Sequence, residues 1–302
     1  MVDFSGMKKL PFPFLWTLAI FTTSALPTQE TVASGTMELR NDLAYVQVMV
    51  NGHGPFKFVI DTGTNADAAV TAHLVEQLSL PRSGDKLLEG DDLAAHRVKV
   101  PAFHLDSVSI AGVEFKDLRA HQCPEIWEYD GILGFTLFRD YLFTLDYPNQ
   151  KITLARGNLP PADGKETLAL IMMNKLPFIE FLVDSRKMEV MIDSGGRGLS
   201  LPARFAEDLK FVSRPIVFAR QQTVSSIVEL KGARLASDIH FGDYTLPTPF
   251  IALDPFSEKG NFGAALLRNF AVTFDQNNKL VRFVGKGKKI TCSITKRSYS
   301  CQ

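Results

Sequence analysis

The chain has few of the residues from which metal sites and covalent frameworks are built. Its 302 residues include three cysteines and six histidines. The histidines form neither an HExxH pair nor a zinc-finger spacing with the cysteines, so the sequence predicts no metal site. Acidic and basic residues are equal in number, which gives a formal net charge of zero. This balance argues against electrostatic attraction to nucleic acid or to anionic membranes.

Long apolar runs are also scarce, and residues 1–25 are predicted to be an export signal. Lys8 and Lys9 form a short positive region, and an apolar stretch from Leu10 to Phe21 is followed by small residues ending at Ala25. This order is typical of a signal peptide. Because the run is too short for a stable membrane span, we expect a periplasmic or secreted protein. A signal that stays uncleaved and anchors the chain is the open alternative.

The three cysteines are compatible with export, because disulfides persist outside the cytosol. Cys292 and Cys301 are close enough in sequence to close the C-terminal tail as a loop, and Cys123 would then be left over. The sequence leaves open whether Cys292 and Cys301 are bonded. Residues 287–302 form a basic tail, for which a solvated, frayed terminus is the simplest expectation.

An internal repeat is the most informative feature of the chain. Residues 46–64 and 178–196 align without a gap, and each segment has the pattern of two apolar strands joined by a tight turn. The first segment ends in Asp61-Thr62-Gly63-Thr64, and the second ends in Asp193-Ser194-Gly195-Gly196. One such tetrapeptide is usually only a turn, whereas two of them after matched strands indicate a duplicated site.

The similarity continues beyond the two aspartates. Thr71–Leu78 and Pro202–Leu209 are each predicted to form a short helix. The segments Gly131–Gly134 and Gly260–Gly263 then introduce a second short helix and two final strands in each copy. Each copy therefore contains two strands, an Asp-containing loop, a short helix, hairpins, a Gly-bearing loop, another short helix and two strands.

The repeat predicts two lobes, an N-terminal one over residues 37–157 and a C-terminal one over residues 166–286. A Pro-rich linker at residues 159–164 would join them. Two further pairs of charged residues recur between the copies, Asp146 with Asp275 and Arg139 with Arg268. We interpret the aspartates as turn residues and the arginines as structural ion-pair partners.

These motifs resemble the catalytic loops of retropepsin-like and pepsin-like aspartic peptidases. In that family a loop of two apolar residues and a glycine lies beside each catalytic loop. Ile132-Leu133-Gly134 and Phe262-Gly263 stand at the matching places. The resemblance covers both copies. It implies a mainly β protein with two pseudo-symmetric acid-protease-like β-barrel lobes, short helices and a cleft between the lobes.

The resemblance also implies that Asp61 and Asp193 are the catalytic residues. The residues that support the two catalytic loops would then be Thr62, Gly63, Thr64, Ser194 and Gly195. In the family, hydroxyls at the positions of Thr62 and Ser194 reach across to the opposite loop, and the hydroxyl at the position of Thr64 bonds the aspartate of its own lobe. Gly196 departs from this pattern, because it has no side chain that could bond Asp193.

Two adjacent carboxylates suffice for peptide hydrolysis without a metal, a cofactor or a covalent nucleophile. Their proximity disfavours simultaneous ionisation, so the pair retains one proton and titrates as a unit. The ionised carboxylate can take a proton from an attacking water while the protonated one donates to the developing oxyanion. The sequence therefore predicts an aspartic endopeptidase for an extended peptide or protein substrate. A monomer is expected, because one chain contains both halves of the site.

Two other functions stay open at this stage. The first is a catalytically inactive peptide-binding protein with the same fold, motivated by Gly196 and by the lack of a flap tyrosine between Leu80 and Val108. The polar stretch Gly84–His96 is the candidate flap. The second is an actin-like ATPase, which also has one Asp-Gly phosphate loop in each half. It is disfavoured because a short helix, rather than a β-hairpin, is predicted after the first loop. Substrate preference, pH optimum and the location of the shared proton are not fixed by the sequence.

Overall fold

The computed structural model describes residues 29–89, 97–123, 128–222, 227–294 and 299–302, and these residues form a mainly β protein. The predicted mainly β fold with short helices is confirmed. In these ranges no helix has the length and apolar character that crossing a bilayer requires. The predicted export signal at residues 1–25 lies outside the described residues.

The strands of the first half are short and closely spaced, as is usual in antiparallel sheets. They are β1 (Glu30–Thr36), β2 (Glu38–Arg40), β3 (Leu43–Val50), β4 (His53–Asp61), β5 (Ala68–Val70), β6 (Arg82–Glu89), β7 (Arg97–Ile110), β8 (Val113–Gln122), β9 (Gly131–Gly134), β10 (Leu142–Asp146) and β11 (Lys151–Arg156). Helix α1 (Ala72–Leu78) follows β5, and a 3-10 helix (Phe135–Phe138) follows β9.

The second half repeats this order with small changes. Its strands are β12 (Thr167–Ala169), β13 (Ile171–Met173), β14 (Leu176–Val183), β15 (Arg186–Asp193), β16 (Leu199–Pro202), β17 (Ile216–Gln222), β18 (Ile227–Arg234), β19 (Ile239–Phe241), β20 (Tyr244–Leu246), β21 (Phe250–Asp254), β22 (Gly260–Gly263), β23 (Phe270–Asp275), β24 (Leu280–Gly285), β25 (Cys292–Ile294) and β26 (Tyr299–Cys301). A 3-10 helix (Ala203–Phe205) follows β16, and helix α2 (Ala264–Leu267) follows β22.

Each half of the chain builds its own sheet. The first is eight-stranded in the order β2-β3-β4-β9-β5-β8-β7-β6, and the second contains β17-β18-β21-β16-β22-β15-β14-β19-β20 with β13 beside β14. The strands follow the two-residue period of a half-buried sheet. In β14, for example, Ile179, Phe181 and Val183 are fully buried whereas Glu180 and Leu182 are exposed.

In both sheets, the strand that ends at an aspartate of the repeat pairs in parallel with the strand of the later glycine motif. Asp61 lies opposite Gly134 in the β4–β9 pair, and Asp193 lies opposite Gly263 in the β15–β22 pair. A side chain at position 134 would overlap the backbone of Ala66. Glycine therefore lets the segment after Asp61 pass close over β9. The identical register places the two aspartates at equivalent points of the two sheets.

A third, six-stranded sheet joins the two halves in the order β1-β11-β10-β23-β24-β12. Its central pair is antiparallel β10 and β23, in which Thr144 lies opposite Thr273 and the two hydroxyl oxygens are 2.8 Å apart. Phe274 also packs against Phe143 and Phe135, with ring centroids 5.9 and 5.2 Å away. The duplicated final strands thus pair with each other and fix the two lobes together.

The short helix that follows each aspartate loop differs between the halves. The side chain of Thr71 caps α1 by accepting a hydrogen bond from Leu74 N, and Leu74 is buried. The helix predicted over Thr71–Leu78 is therefore confirmed to within one residue. The helix predicted over Pro202–Leu209 is wrong in type, since only Ala203–Phe205 form a 3-10 turn. Pro202 has no side-chain acceptor for a cap, and it continues β16 instead.

Each half also has a long hairpin whose tip lies outside the described residues. The candidate flap, Gly84–His96, falls on the β6–β7 hairpin, which is paired from Arg82 opposite Phe103 out to Glu89 opposite Arg97. The β17–β18 hairpin is its counterpart, and the sequence analysis did not single it out. Lys86 Nζ donates to Asn65 O at 2.7 Å. The first hairpin therefore contacts the loop that follows Asp61.

The described part of the basic tail is folded onto the C-terminal lobe, so the expectation of a frayed terminus is wrong there. Cys292 and Cys301 form a disulfide, and both residues are fully buried. Tyr299 Oη donates to Phe250 O at 2.9 Å, and the Tyr299 ring lies against Gly198. Gly198 belongs to the segment between Asp193 and β16, so the tail packs next to the second aspartate loop.

Replacing Cys292 and Cys301 together by serine is expected to lower the free energy of unfolding by about 2–3 kcal/mol, because the disulfide closes a short loop in the unfolded chain. Urea unfolding followed by tryptophan fluorescence measures this change. The unaltered protein unfolded under reducing conditions should match the double variant. Superimposable unfolding curves for the oxidised protein and the variant would show that the disulfide contributes nothing to stability.

Candidate active site

The two aspartate loops meet at the boundary between the lobes. Asp61 stands at the end of β4 and Asp193 at the end of β15, and the Asp61 carboxyl group lies close enough to Asp193 to raise its pKa. A methyl group built on Gly63 would lie 2.6 Å from Asp193 Oδ1 and 3.2 Å from Asp61 Oδ1. Both carboxyl groups therefore approach the same point beside Gly63, and so they lie close together.

The glycines of the two loops are required by this close approach. A side chain at Gly63 would collide with Asp193, and one at Gly195 would collide with the carboxyl group of Asp61. Each glycine thus makes room for the aspartate of the other lobe. Their amides also serve their own aspartates, since Gly63 N donates to Asp61 Oδ1 at 2.8 Å and Gly195 N donates to Asp193 Oδ1 at 3.0 Å.

Thr62 and Ser194 hold the two loops together through four buried hydrogen bonds that cross between the lobes. Thr62 Oγ1 donates to Ile192 O at 2.7 Å and accepts from Ser194 N at 2.9 Å. Ser194 Oγ donates to Ile60 O at 2.8 Å and accepts from Thr62 N at 2.9 Å. Each hydroxyl is used as donor and acceptor at once, so both lobes supply half of one closed network. This matches the crossing hydroxyls implied by the resemblance.

The remaining carboxyl oxygens receive donors of different origin. Thr64 Oγ1 donates to Asp61 Oδ2 at 2.7 Å, whereas Asp193 Oδ2 accepts from Asn261 Nδ2 at 2.9 Å. Gly196 contributes only its backbone, through an N–H that donates to Asp193 Oδ1 at 2.8 Å. The sequence analysis missed Asn261. The signal that could have found it is its place in the repeat, where the first copy has the apolar Ile132.

The surroundings of Asp193 favour its neutral form. The pKa of Asp193 is raised from its ordinary value of 3.8 to about 7, chiefly by burial and next by the nearby carboxyl group of Asp61. The Gly196 N–H and the Asn261 amide act in the opposite direction, because they donate to the charged form. Burial and like charge outweigh these donors, so the pair retains one proton at pH values well above the range in which aspartates usually titrate.

The other charged residues that recur in the sequence have structural partners. Arg139 pairs with Asp67 at 2.8 Å, and Arg268 pairs with Asp42 at 2.8 Å. Asp146 accepts from Asn149 N in the turn after β10, as the interpretation as a turn residue requires. Asp275 is buried and accepts from Leu159 N, which ties the linker to the C-terminal lobe. Among the described residues, no group of three His, Cys, Asp or Glu side chains could hold a metal ion.

Comparison with known proteins finds a family match within the first half of the chain. Residues 46–140 match the family model described as "gag-polyprotein putative aspartyl protease". The matched segment runs from β3 through Asp61 to the residues just after β9. The match supports an aspartyl protease function in general terms.

A solved structure and the curated proteins complete the comparison. The structure of a retropepsin-like aspartic protease from Rickettsia conorii is 23% identical to the chain, with a TM-score of 0.32, and the alignment covers 44% of this chain and 97% of that chain. No curated protein matches the chain. The C-terminal lobe, which lies outside the matched segment, repeats the strand register of the N-terminal lobe around Asp193.

Replacing Thr62 by valine is expected to destabilise the protein by about 2–5 kcal/mol, because two buried backbone groups, Ile192 O and Ser194 N, would lose their partner. Valine keeps the shape of the side chain. Thr144→Val is the matched control, because it removes the hydroxyl bond to Thr273, which also joins the lobes but is only partly buried, and we expect a loss of about 1 kcal/mol or less. Chemical denaturation measures both. Equal losses would contradict the central place of the Thr62–Ser194 network.

The pKa of Asp193 predicts a pH-dependent stability. A carboxyl group whose folded-state pKa is raised stabilises the fold fully below its unfolded pKa, and this contribution is lost as pH rises through the folded pKa. For Asp193 the window runs from about 4 to about 7. As the pH rises from about 4 to about 7, the unaltered protein should therefore lose unfolding free energy relative to Asp193→Asn. Parallel curves for the two proteins would contradict the raised pKa.

Proposed function

We propose that this chain is an aspartic endopeptidase in which Asp61 and Asp193 activate one water molecule for the hydrolysis of peptide bonds. The observation that carries the proposal is the close approach of two carboxyl groups, one from each lobe, to the same point beside Gly63. The match of the N-terminal lobe to an aspartyl protease family supports it independently.

The different environments of the two carboxyl groups suggest their roles. Asp193 keeps the shared proton, since its pKa lies near 7, and Asp61 acts as the base. Water would give a proton to Asp61 while its oxygen attacks the scissile carbonyl, and Asp193 would donate its proton to the carbonyl oxygen. The resulting gem-diol then collapses. One of its hydroxyl protons returns to Asp193, and Asp61 passes its proton to the amine that leaves.

The hairpins supply surfaces for an extended substrate. Both β6–β7 and β17–β18 have exposed apolar side chains, since Leu87 is 53% exposed and Ile216 and Val217 are 59% and 45% exposed. Exposed apolar groups on both hairpins favour a peptide or protein with apolar side chains as the partner. An extended peptide can also bond to strand edges through its backbone. One chain contributes both aspartates, so we propose a monomer, and the reaction needs no cofactor.

An exported location fits the remaining observations. The disulfide between Cys292 and Cys301 is the type of bond that persists in oxidising compartments. The signal-like residues 1–25 favour the same location. We therefore propose that the enzyme works in the periplasm or outside the cell.

The two competing functions receive less support from the site. An inactive peptide-binding protein was motivated by Gly196, yet Asp193 has a side-chain donor in Asn261. An actin-like ATPase would need free loop amides for phosphate. The amides of Gly63 and Gly195 instead donate to the carboxylates.

Asp61→Asn and Asp193→Asn should each reduce kcat/KM for a denatured protein substrate by about 10²–10⁴-fold, because acid–base catalysis by the pair is lost. Cleavage is followed by mass spectrometry of the products between pH 3 and 8. Asp146→Asn is the matched control, since Asp146 lies in a turn away from the pair, and it should cleave normally. Full activity in either site variant would reject the proposal. Peptide binding without cleavage by the unaltered protein would favour the inactive alternative.

A further inference from the structure

The two aspartates have matching sets of donors, although the donors come from different places in the chain. One oxygen of each carboxyl group, Oδ1, accepts a hydrogen bond from the glycine amide two residues later. The other oxygen of each carboxyl group, Oδ2, accepts a hydrogen bond from one side chain. In the first lobe this is Thr64, and in the second lobe it is Asn261.

The repeat shows that Asn261 stands where a polar residue is not needed for packing. Asn261 lies opposite Met191 in the β15–β22 pair, and its counterpart Ile132 lies opposite Val59 in the β4–β9 pair. Ile132 packs against an apolar cluster that includes Val59. Asn261 Oδ1 is buried and has no hydrogen-bond partner within the described residues. A partly buried amide therefore stands at a position that an apolar side chain fills in the other lobe.

The space around Gly196 leaves no room for a side chain at this position. A Cβ atom built on Gly196 would overlap both Asp193 Oδ2 and Asn261 Nδ2. The amide group of Asn261 thus occupies the volume in which a side chain at position 196 would begin. Glycine at 196 and asparagine at 261 are compatible with each other, whereas a hydroxyl residue at 196 would require both a different residue at 261 and a shift of the Asp193 carboxyl group.

We propose that Asn261 is the positioning residue of Asp193, a replacement for the hydroxyl that Gly196 lacks, so that the pair Gly196 and Asn261 does for the second lobe what Thr64 does for the first. The inference rests on the proposed function, in that it assigns a part of the same site. It adds a residue outside both aspartate loops to that site.

The exchange has a chemical consequence. A hydroxyl can donate to an ionised carboxylate or accept from a protonated one, whereas the NH₂ end of an amide can only donate. Asn261 therefore stabilises the ionised form of Asp193 and limits how far burial raises its pKa. The other groups that face Asp193 are the carboxyl group of Asp61, the Gly195 and Gly196 amides, and the buried phenol of Tyr147, whose pKa burial raises so that it stays neutral.

The direct test is the titration of Asp193 in the full chain without substrate. Aspartate carboxyl carbons are labelled with ¹³C, and the Asp193 signal is assigned by its loss in Asp193→Asn. Asn261→Leu should raise the pKa of Asp193 by about one unit, because one donor to the charged form is removed. The alkaline limb of the pH–rate profile should move upward by the same amount. An unchanged titration in a folded Asn261→Leu variant would overturn the inference.

A double variant and a control separate positioning from simple structural support. Asn261→Ile with Gly196→Thr copies the first lobe, and it should bring the pKa of Asp193 back toward the original value. Asn269→Leu is the control, because Asn269 Nδ2 donates to Leu266 O and Cys301 O, away from the pair. It should lower stability without moving the titration. A shift of equal size in Asn269→Leu would show that Asn261 acts only through the stability of the lobe.

The two proposals fail in different ways. If the unaltered protein cleaves no peptide at any pH, the proposed function fails, while the titration arm still decides the role of Asn261. If the protein is an active peptidase and Asn261→Leu leaves both the titration and the pH–rate profile unchanged, the function stands and the role of Asn261 is rejected.

Discussion

Two carboxyl groups that share one buried space repel each other when both are ionised, and the rest of this structure serves to keep them there. The cost is reduced by one proton, which the burial of Asp193 retains to about neutral pH. The closed network of Thr62 and Ser194 counteracts this repulsion, because it ties the two lobes together at this point. The glycines beside them let each loop approach the aspartate of the other lobe.

Duplication explains both the symmetry of the site and the places where the symmetry breaks. The β4–β9 and β15–β22 pairs have the same register, and the final strands of both halves pair in one sheet, so the lobes meet about a common axis. Within that frame the second lobe has changed the source of one donor, from the residue after the glycine to the strand beside the loop. Both lobes provide one side-chain donor for the Oδ2 atom of their aspartate, although the donating residues differ.

The repeat made much of this predictable. Because residues 46–64 and 178–196 align without a gap, the sequence alone places Asp61 and Asp193 at equivalent ends of equivalent strands, and the structure brings them together. Asn261 could not be predicted with the same ease, since its contact with Asp193 depends on the parallel pairing of strands 68 residues apart. The pairing of β10 with β23 and the folded tail are likewise contacts between distant segments, which local periodicity does not encode. Pro202–Leu209 shows the opposite error, because a helix-like pattern there was overridden by the strand before it.

The most direct measurement is a crystal structure of the full chain with pepstatin, a peptide inhibitor whose central hydroxyl takes the place of an attacking water. The account predicts that this hydroxyl lies within hydrogen-bonding distance of both Asp61 and Asp193, with the peptide extended between the two hairpins. A hydroxyl bonded to only one of these aspartates, or a peptide bound elsewhere, would contradict the claim that the two carboxyl groups act on one shared molecule.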